Sequence, residues 1–180
     1  MTDHKISVLI SENDVKKRIA ELAEEINRDY AGKEVHLIGI LKGSVFFMCD
    51  LARYLTVPVT MDFISCSSYG SGTISKGIVR LNKDLDESIE GRHVIIVEDI
   101  IDSGNTLSYL VEMLSARRPA SIKLCTLLDK PSRRVHKEVT VDYCCFRIED
   151  VFVAGYGLDD DQYSRNLPYV GVVNFEEAGE

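Results

Sequence analysis

The segment "HVIIVEDIIDSGNT", His93 to Thr106, constrains the fold more than any other stretch of the chain. Val94 to Val97 is an apolar, β-branched run without polar alternation, so it reads as a short strand covered on both faces. It runs into Asp-Ser-Gly-Asn-Thr and then "LSYLVEML", where Leu107, Leu110, Val111 and Leu114 recur at helical spacing. Strand, small-residue loop and helix in that order predict an α/β fold with a largely parallel sheet. In such sheets ligands bind at the carboxyl ends of the strands. At that end Glu98, Asp99 and Asp102 crowd three acids into five positions.

The rest of the chain alternates in the same way. After a short strand around Ile6 to Ile10, Ser11-x-x-Asp14 reads as a capping signal. The apolar stripe of Val15, Ile19, Leu22, Ala23, Ile26 and Tyr30 then predicts an amphipathic helix that stops at Gly32. "VHLIGI", "LKGS", "VFFMCDLARYL" and "VTMDFIS" follow as strand, turn, helix and strand, a βαβ unit. "IVRLNKDLDESIEGRHVIIV" reads as an antiparallel pair joined by a loop around Asp86 to Gly91. "SIKLCTLLD", "VTVDYCCF", "VFVAGYG" and "YVGVVNF" read as strands. Between Cys66 and Gly77, "CSSYGSGTISKG" has no periodicity and is either an unpacked tip or a lid over a reacting centre. With 180 residues, 45% of them hydrophobic, the chain reads as a single domain long enough to bury most of its apolar surface.

A formal net charge of -8 argues against a general nucleic-acid surface, which would cluster Lys and Arg against phosphates. "KPSRRVHK", Lys130 to Lys137, is the dense basic cluster and reads first as a solvated turn, or else as an edge for an anionic ligand or a partner subunit. Cys49, Cys66, Cys125, Cys144 and Cys145 contain no C-x-x-C pair and are odd in number, which suits reduced thiols. The four histidines lack zinc-site spacing. No apolar run approaches the length of a membrane span, and "MTDHKISVLISEND" lacks the pattern of a secretory signal, so a cytoplasmic protein without membrane partners is expected.

Phosphate can be held without lysine when backbone N–H groups turn inward at a helix N-terminus. "DSGNT" suits this: Gly104 permits the tight backbone, and Ser103 and Thr106 add hydroxyls. The loop matches neither a Walker motif nor a dinucleotide fingerprint. Carboxylates repel phosphate, so the acids need another task. Glu98 and Asp99 can accept hydrogen bonds from ribose hydroxyls, and Asp102 can take a proton. Otherwise Glu98 and Asp99 cap the following turn and Asp102 N-caps the helix. Three acids leading into a phosphate loop favour a ribose phosphate site.

"VIIVEDIIDSGNT" resembles the signature of the purine phosphoribosyltransferases. The similarity extends along the chain: "LKGS" resembles their pyrophosphate loop, "SSYGSG" their flexible catalytic loop, and "LLDKPSRR" with "FVAGYGLDDDQYSRNLPYVG" their base pocket. The chain is most similar to the bacterial hypoxanthine members. The resemblance implies a type I phosphoribosyltransferase fold: a parallel twisted core over about residues 11–150, with a small hood from about 1–10 and 151–180. It implies transfer of a phosphoribosyl group from phosphoribosyl pyrophosphate to hypoxanthine or guanine with Mg2+, by a homodimer or homotetramer.

By the same resemblance, Asp102 is the base and residues 102 to 106, Asn105 included, bind the 5′-phosphate. Glu98 and Asp99 hold the ribose hydroxyls, and with Asp159 they reach the metal. Lys42, Gly43 and Arg165 contact pyrophosphate, while Ser68 and Tyr69 cover the reacting centre. Lys130 donates to the purine O6, Phe152 stacks on the ring, and Val153 and Asp159 meet the base edge. The chain carries Asn105 where some relatives have lysine. Two other readings are a xanthine- or adenine-preferring enzyme, and a non-catalytic regulator of the same fold. The regulator reading is disfavoured by the retained Asp102, Lys130, Phe152 and "SSYGSG".

Overall fold

The computed structural model describes residues 4–69 and 78–175. Ser11 Oγ accepts the Asp14 N–H at 3.2 Å and starts helix α1 (Glu12–Asp29), whose buried face is Val15, Ile19, Leu22, Ala23 and Ile26. The cap and the 3.6-residue stripe together account for this helix. Strands β1 (Lys5–Ile10), β2 (Val35–Leu41) and β3 (Val59–Tyr69) flank α1 and helix α2 (Val45–Tyr54) in chain order. Strand β4 (Ile78–Lys83), strand β5 (His93–Ile101), helix α3 (Asn105–Ser115) and strand β6 (Ser121–Asp129) come next. Strands β7 (Tyr143–Arg147), β8 (Val153–Ala154) and β9 (Val170–Asn174) complete the order.

The main sheet runs β4-β3-β2-β5-β6-β7, parallel throughout except for β4, which is antiparallel to β3. Alternate side chains of the same strands feed two cores. Leu37, Ile95, Val97 and Cys125 pack toward α1 and toward Phe47, Met48 and Leu51 of α2. Ile38, Ile40, Val94, Ile96 and Leu124 pack toward Leu107, Leu110 and Leu114 of α3. Burial on both faces is why β2 and β5 read as continuous apolar runs. A second sheet, β1-β9-β8, is antiparallel and joins the two ends of the chain. None of the described helices is long and apolar enough to cross a membrane.

Two strand expectations are corrected. The segment from Ile78 to Val97 is not a hairpin: β4 pairs with β3, whereas β5 lies between β2 and β6 with both edges occupied. A strand buried on both faces gains most at the centre of the sheet, and a loop-joined neighbour cannot take an edge already filled. "VTVDYCCF" and "VFVAGYG" are strands only at Tyr143–Arg147 and Val153–Ala154. In the first, the Asp142 side chain accepts the Leu124 N–H of β6 at 2.8 Å, and the strand starts only at Tyr143. In the second, Gly155, Tyr156 and Gly157 have φ of 98°, 50° and 104°, left-handed values that end an extended run. The Ser/Gly-rich expectation falls in part on residues 70–77, which lie outside the described residues. The backbone of Ser68 and Tyr69 belongs to β3, paired with Val79 and Ile78.

Candidate active site

The chain passes from β2 to β3 on one side and then to β5 on the other, so the strand order reverses between β2 and β5. In an open parallel sheet, the crevice at such a reversal is where ligands bind. The carboxyl ends there carry Leu41, Lys42 and Gly43 from β2, and Glu98 to Asp102 from β5. The Leu41–Lys42 peptide is cis. A Cβ on Gly43 would stand 1.5 Å from Asp99 Oδ2, and a Cβ on Gly157 would stand 1.9 Å from the Gly43 carbonyl oxygen. Residues 42–43 are therefore pressed between the Asp99 carboxylate and the backbone of residue 157, and no side chain fits at either glycine.

The acids differ in environment. Burial, reinforced by neighbouring Asp99, holds Glu98 well above the usual carboxylate range. Its Oε2 is buried with no hydrogen-bond partner among the described residues. Burial also raises Asp99 to about 6, offset in part by the Ile100 N–H at 2.7 Å and by Arg165. Asp102 is half exposed, and its Oδ1 accepts from Arg133 Nε at 2.9 Å. Glu98, Ile101, Asp102, Ser103, Gly104 and Thr106 line a cavity of about 110 Å³ at the start of α3. Gly104, at φ 84°, is the N-cap and has no side chain to cap with, so Asp102 is not the cap. The uncapped N–H groups and the helix dipole favour an anion. Asn105 is exposed, and its N–H lies 3.4 Å from Ser103 Oγ.

A turn after β6 braces this loop. The Lys130 N–H donates to Ile101 O at 2.9 Å, and the Val135 and His136 N–H groups both donate to Ser103 O. Arg134, nearly buried by its pairing with Asp129, donates from Nε to Asp102 O at 3.2 Å and from Nη1 to Val139 O at 3.2 Å. The basic cluster is thus not uniformly solvated. Lys130 is 8% exposed, with Nζ 3.6 Å from Asp150 Oδ1. Arg133 and Arg134 fall within the "LLDKPSRR" motif but carry no individual role in the sequence reading, and Asp150 is absent from it. The paired arginines a few residues past Asp129, the end of β6, are the available signal.

From the chain's last third, Val153 is buried in β8, and Phe152 is 48% exposed rather than in the core. The Phe152 ring centroid lies 5.5 Å from that of Phe175. Arg165 donates to Gly157 O at 2.7 Å and to Asp159 Oδ1 at 2.8 Å. Asp159 Oδ2 accepts the Gln162 N–H at 2.9 Å, and Lys42 Nζ reaches Gln162 Oε1 at 3.2 Å. Lys42, Gly43, Glu98, Asp99, Asp159 and Arg165 therefore converge on the crevice, with 102–106 and Lys130 beside it. The side chains of Ser68 and Tyr69 lie outside the described residues. A larger cavity of about 480 Å³ lies at the amino end of β6, lined by residues such as Val111, Ile122, Leu124 and Val139. It holds none of the crevice's carboxylates and sits away from the strands' carboxyl ends.

A pocket at a helix start that favours anions, beside buried carboxylates at a sheet reversal, is the kind of site found in enzymes that handle phosphorylated sugars. Residues 10–161 match the phosphoribosyl transferase domain, and the chain belongs to that family. It is 50% identical to the hypoxanthine phosphoribosyltransferase of Haemophilus influenzae over 180 residues, covering 98% of this chain and all of that one. It is 49% identical to the hypoxanthine-guanine phosphoribosyltransferase of Bacillus subtilis, covering 96% of each chain. The crystal structure of a hypoxanthine-guanine phosphoribosyltransferase from Bacillus anthracis superposes with a TM-score of 0.90 at 47% identity, covering 94% of this chain and all of that one.

Proposed function

We propose that the protein is a purine salvage enzyme that transfers the 5-phosphoribosyl group of phosphoribosyl pyrophosphate to hypoxanthine, and to guanine, giving the nucleoside monophosphate and pyrophosphate. The observation that carries this reading is the crevice between β2 and β5. There an anion pocket at a helix start adjoins carboxyls buried beside a pressed glycine turn.

In this reading the backbone and hydroxyls of residues 102–106 hold the 5′-phosphate, and Glu98 and Asp99 accept from the ribose hydroxyls. Their carboxylates also oppose the positive charge that develops on the ribose as the bond to pyrophosphate breaks. Lys42, the Gly43 backbone and Arg165 bind the departing pyrophosphate; the Arg165 fork suits two phosphate oxygens. Asp102 accepts the ring N–H proton of the purine as a ring nitrogen bonds to C1 of the sugar. Lys130 donates to O6, Phe152 stacks on the ring, and Val153 and the Asp159 carbonyl meet the base edge. Ser68 and Tyr69 close over the centre and exclude water.

The donor set fits Mg2+. Glu98 Oε2 is an orphaned buried oxygen, and Asp99 and Asp159 supply further oxygens. Among the described residues no cluster of three or more His, Cys, Asp or Glu forms a closed metal cage. An ion held here would therefore take most of its ligands from water and substrate oxygens. Bound there, magnesium would neutralise charge on the leaving pyrophosphate. The reading also assigns the protein to the cytoplasm as a homodimer or homotetramer, with no nucleic-acid or membrane partner. Incubation with hypoxanthine, phosphoribosyl pyrophosphate and magnesium should yield inosine monophosphate and pyrophosphate in equal amounts. Absence of nucleotide would refute the reading.

A further inference from the structure

Ile101 pairs with Asp129 across β5 and β6, so Asp102 and Lys130 leave the sheet side by side on adjacent parallel strands. Their side chains are linked through two others rather than directly. Arg133 donates from Nε to Asp102 Oδ1 at 2.9 Å, and its Nη1 lies 3.4 Å from Asp150 Oδ2. The other Asp150 oxygen, Oδ1, lies 3.6 Å from Lys130 Nζ. The result is a chain of alternating charge, Asp102–Arg133–Asp150–Lys130. Its two ends are the groups assigned to the proton and to O6.

Stability does not account for this chain. The Asp102, Arg133 and Asp150 side chains are 42%, 53% and 50% exposed, and ion pairs of that kind contribute little to folding. Lys130 differs, with a side chain only 10% exposed, so its ammonium is aimed by whatever carboxylate it has. The O6 and N7 atoms of a 6-oxopurine lie on one edge of the ring, so a donor for one and an acceptor beside the other must be held at a fixed separation. A guanidinium fork spanning two carboxylates sets such a separation, which a point charge cannot do.

We propose that Arg133 and Asp150 are positioning residues that hold the Asp102 carboxylate and the Lys130 ammonium in register against one edge of the base, and so contribute to selectivity for 6-oxopurines. This rests on the function proposed above. Neither residue needs to touch the substrate.

The test is steady-state kinetics on the full chain for Arg133→Gln, Arg133→Lys, Asp150→Asn and the Arg133→Gln/Asp150→Asn double variant, each checked for a parental melting transition. Each single variant should lose on the order of 10²-fold in kcat/KM for hypoxanthine, the scale of a small misplacement of reacting groups. The KM for phosphoribosyl pyrophosphate should hold within about twofold, and the preference for hypoxanthine over adenine should shrink. Arg133→Lys should fail to rescue, because the charge returns without the fork. The double variant should be no worse than the weaker single one, because the residues act as one unit. Parental efficiency in Arg133→Lys, an unchanged purine preference or additive losses would overturn the proposal while the parent chain still made nucleotide. A parent chain that made none would overturn the function first and this inference with it.

Discussion

Gly43 meets Asp99 so closely that a Cβ on the glycine would stand 1.5 Å from Asp99 Oδ2. The turn after β2 and the acidic end of β5 are thus built as one unit across the sheet reversal. The chain's last third joins it: Gly157 leaves no room above the Gly43 carbonyl, and its own carbonyl accepts from Arg165 at 2.7 Å. One contact ties together the groups assigned to pyrophosphate and to the ribose.

Gly43→Ala therefore forces apart Asp99 and residues 42–43, because backbone on one side and a buried carboxylate on the other cannot both yield. The expected result is a loss of at least about 10²-fold in kcat/KM for phosphoribosyl pyrophosphate, the scale of a misplacement of about 1 Å. Gly32→Ala is the companion control: nothing lies within 4 Å of its added Cβ, so any loss there comes from its φ of 76° and should appear in the melting temperature. Parental kinetics for Gly43→Ala would show that the contact is not part of the site.

Asp102→Asn preserves the shape of the loop, since Arg134 holds the Asp102 carbonyl rather than its carboxylate. The amide cannot take the purine proton. Turnover should fall by about 10² to 10⁴-fold. Affinity for phosphoribosyl pyrophosphate, measured by equilibrium titration, should stay within a few-fold. An unchanged kcat would remove Asp102 from the chemistry.

The amino end of the sheet carries its own buried acid. Asp62 accepts from the N–H groups of Phe63 at 2.6 Å and Asp86 at 2.8 Å, with Lys83 Nζ at 3.4 Å. Burial pushes its carboxyl up, but these partners outweigh burial and hold it below the ordinary value. A depressed native pKa stabilises the fold above the unfolded value, about 3.9, and that contribution is lost as pH falls through the native one. Asp62→Asn should cost about 1–3 kcal/mol at pH 7, as expected when buried donors lose a charged acceptor. The gap between parent and variant should close toward pH 2 in urea titrations. A pH-independent gap would mean that packing, not charge, carries the effect.

Features written in contiguous residues were legible in the sequence. The Ser11 cap with the α1 stripe, and the run from Val94 through the small-residue loop into α3, each encode a local rule whose period and punctuation survive folding. Pairing between distant segments was not. Nothing in Ile78 to Val97 says that β5 already has β2 and β6 on its edges, so a hairpin looked as good as the separation observed. The closeness of Gly43 to Asp99 and of Gly157 to Gly43 is likewise invisible in composition, because it arises only when three separated segments meet. By composition alone Arg133 and Arg134 read first as a solvated basic turn, and the resemblance gives them no individual task. Their tasks depend on Asp102, Asp129 and Asp150 arriving from neighbouring strand ends. Phe152 was legible through resemblance alone, since an aromatic in an apolar run reads as core until its exposure is seen.

In the proposed function, a ribose phosphate site adjoins a lysine that would pair with a carbonyl oxygen and not with an amine. Lys130 is 8% exposed, and its ammonium has three donors and no acceptor, so adenine would bring an amino group against a like donor. The direct measurement is kcat/KM for hypoxanthine, guanine, xanthine and adenine, each with phosphoribosyl pyrophosphate and magnesium in excess. Hypoxanthine and guanine should be turned over, with an adenine efficiency about 10⁴-fold lower, the discrimination expected when a buried polar contact is mismatched. Adenine turned over within about tenfold of hypoxanthine would contradict it.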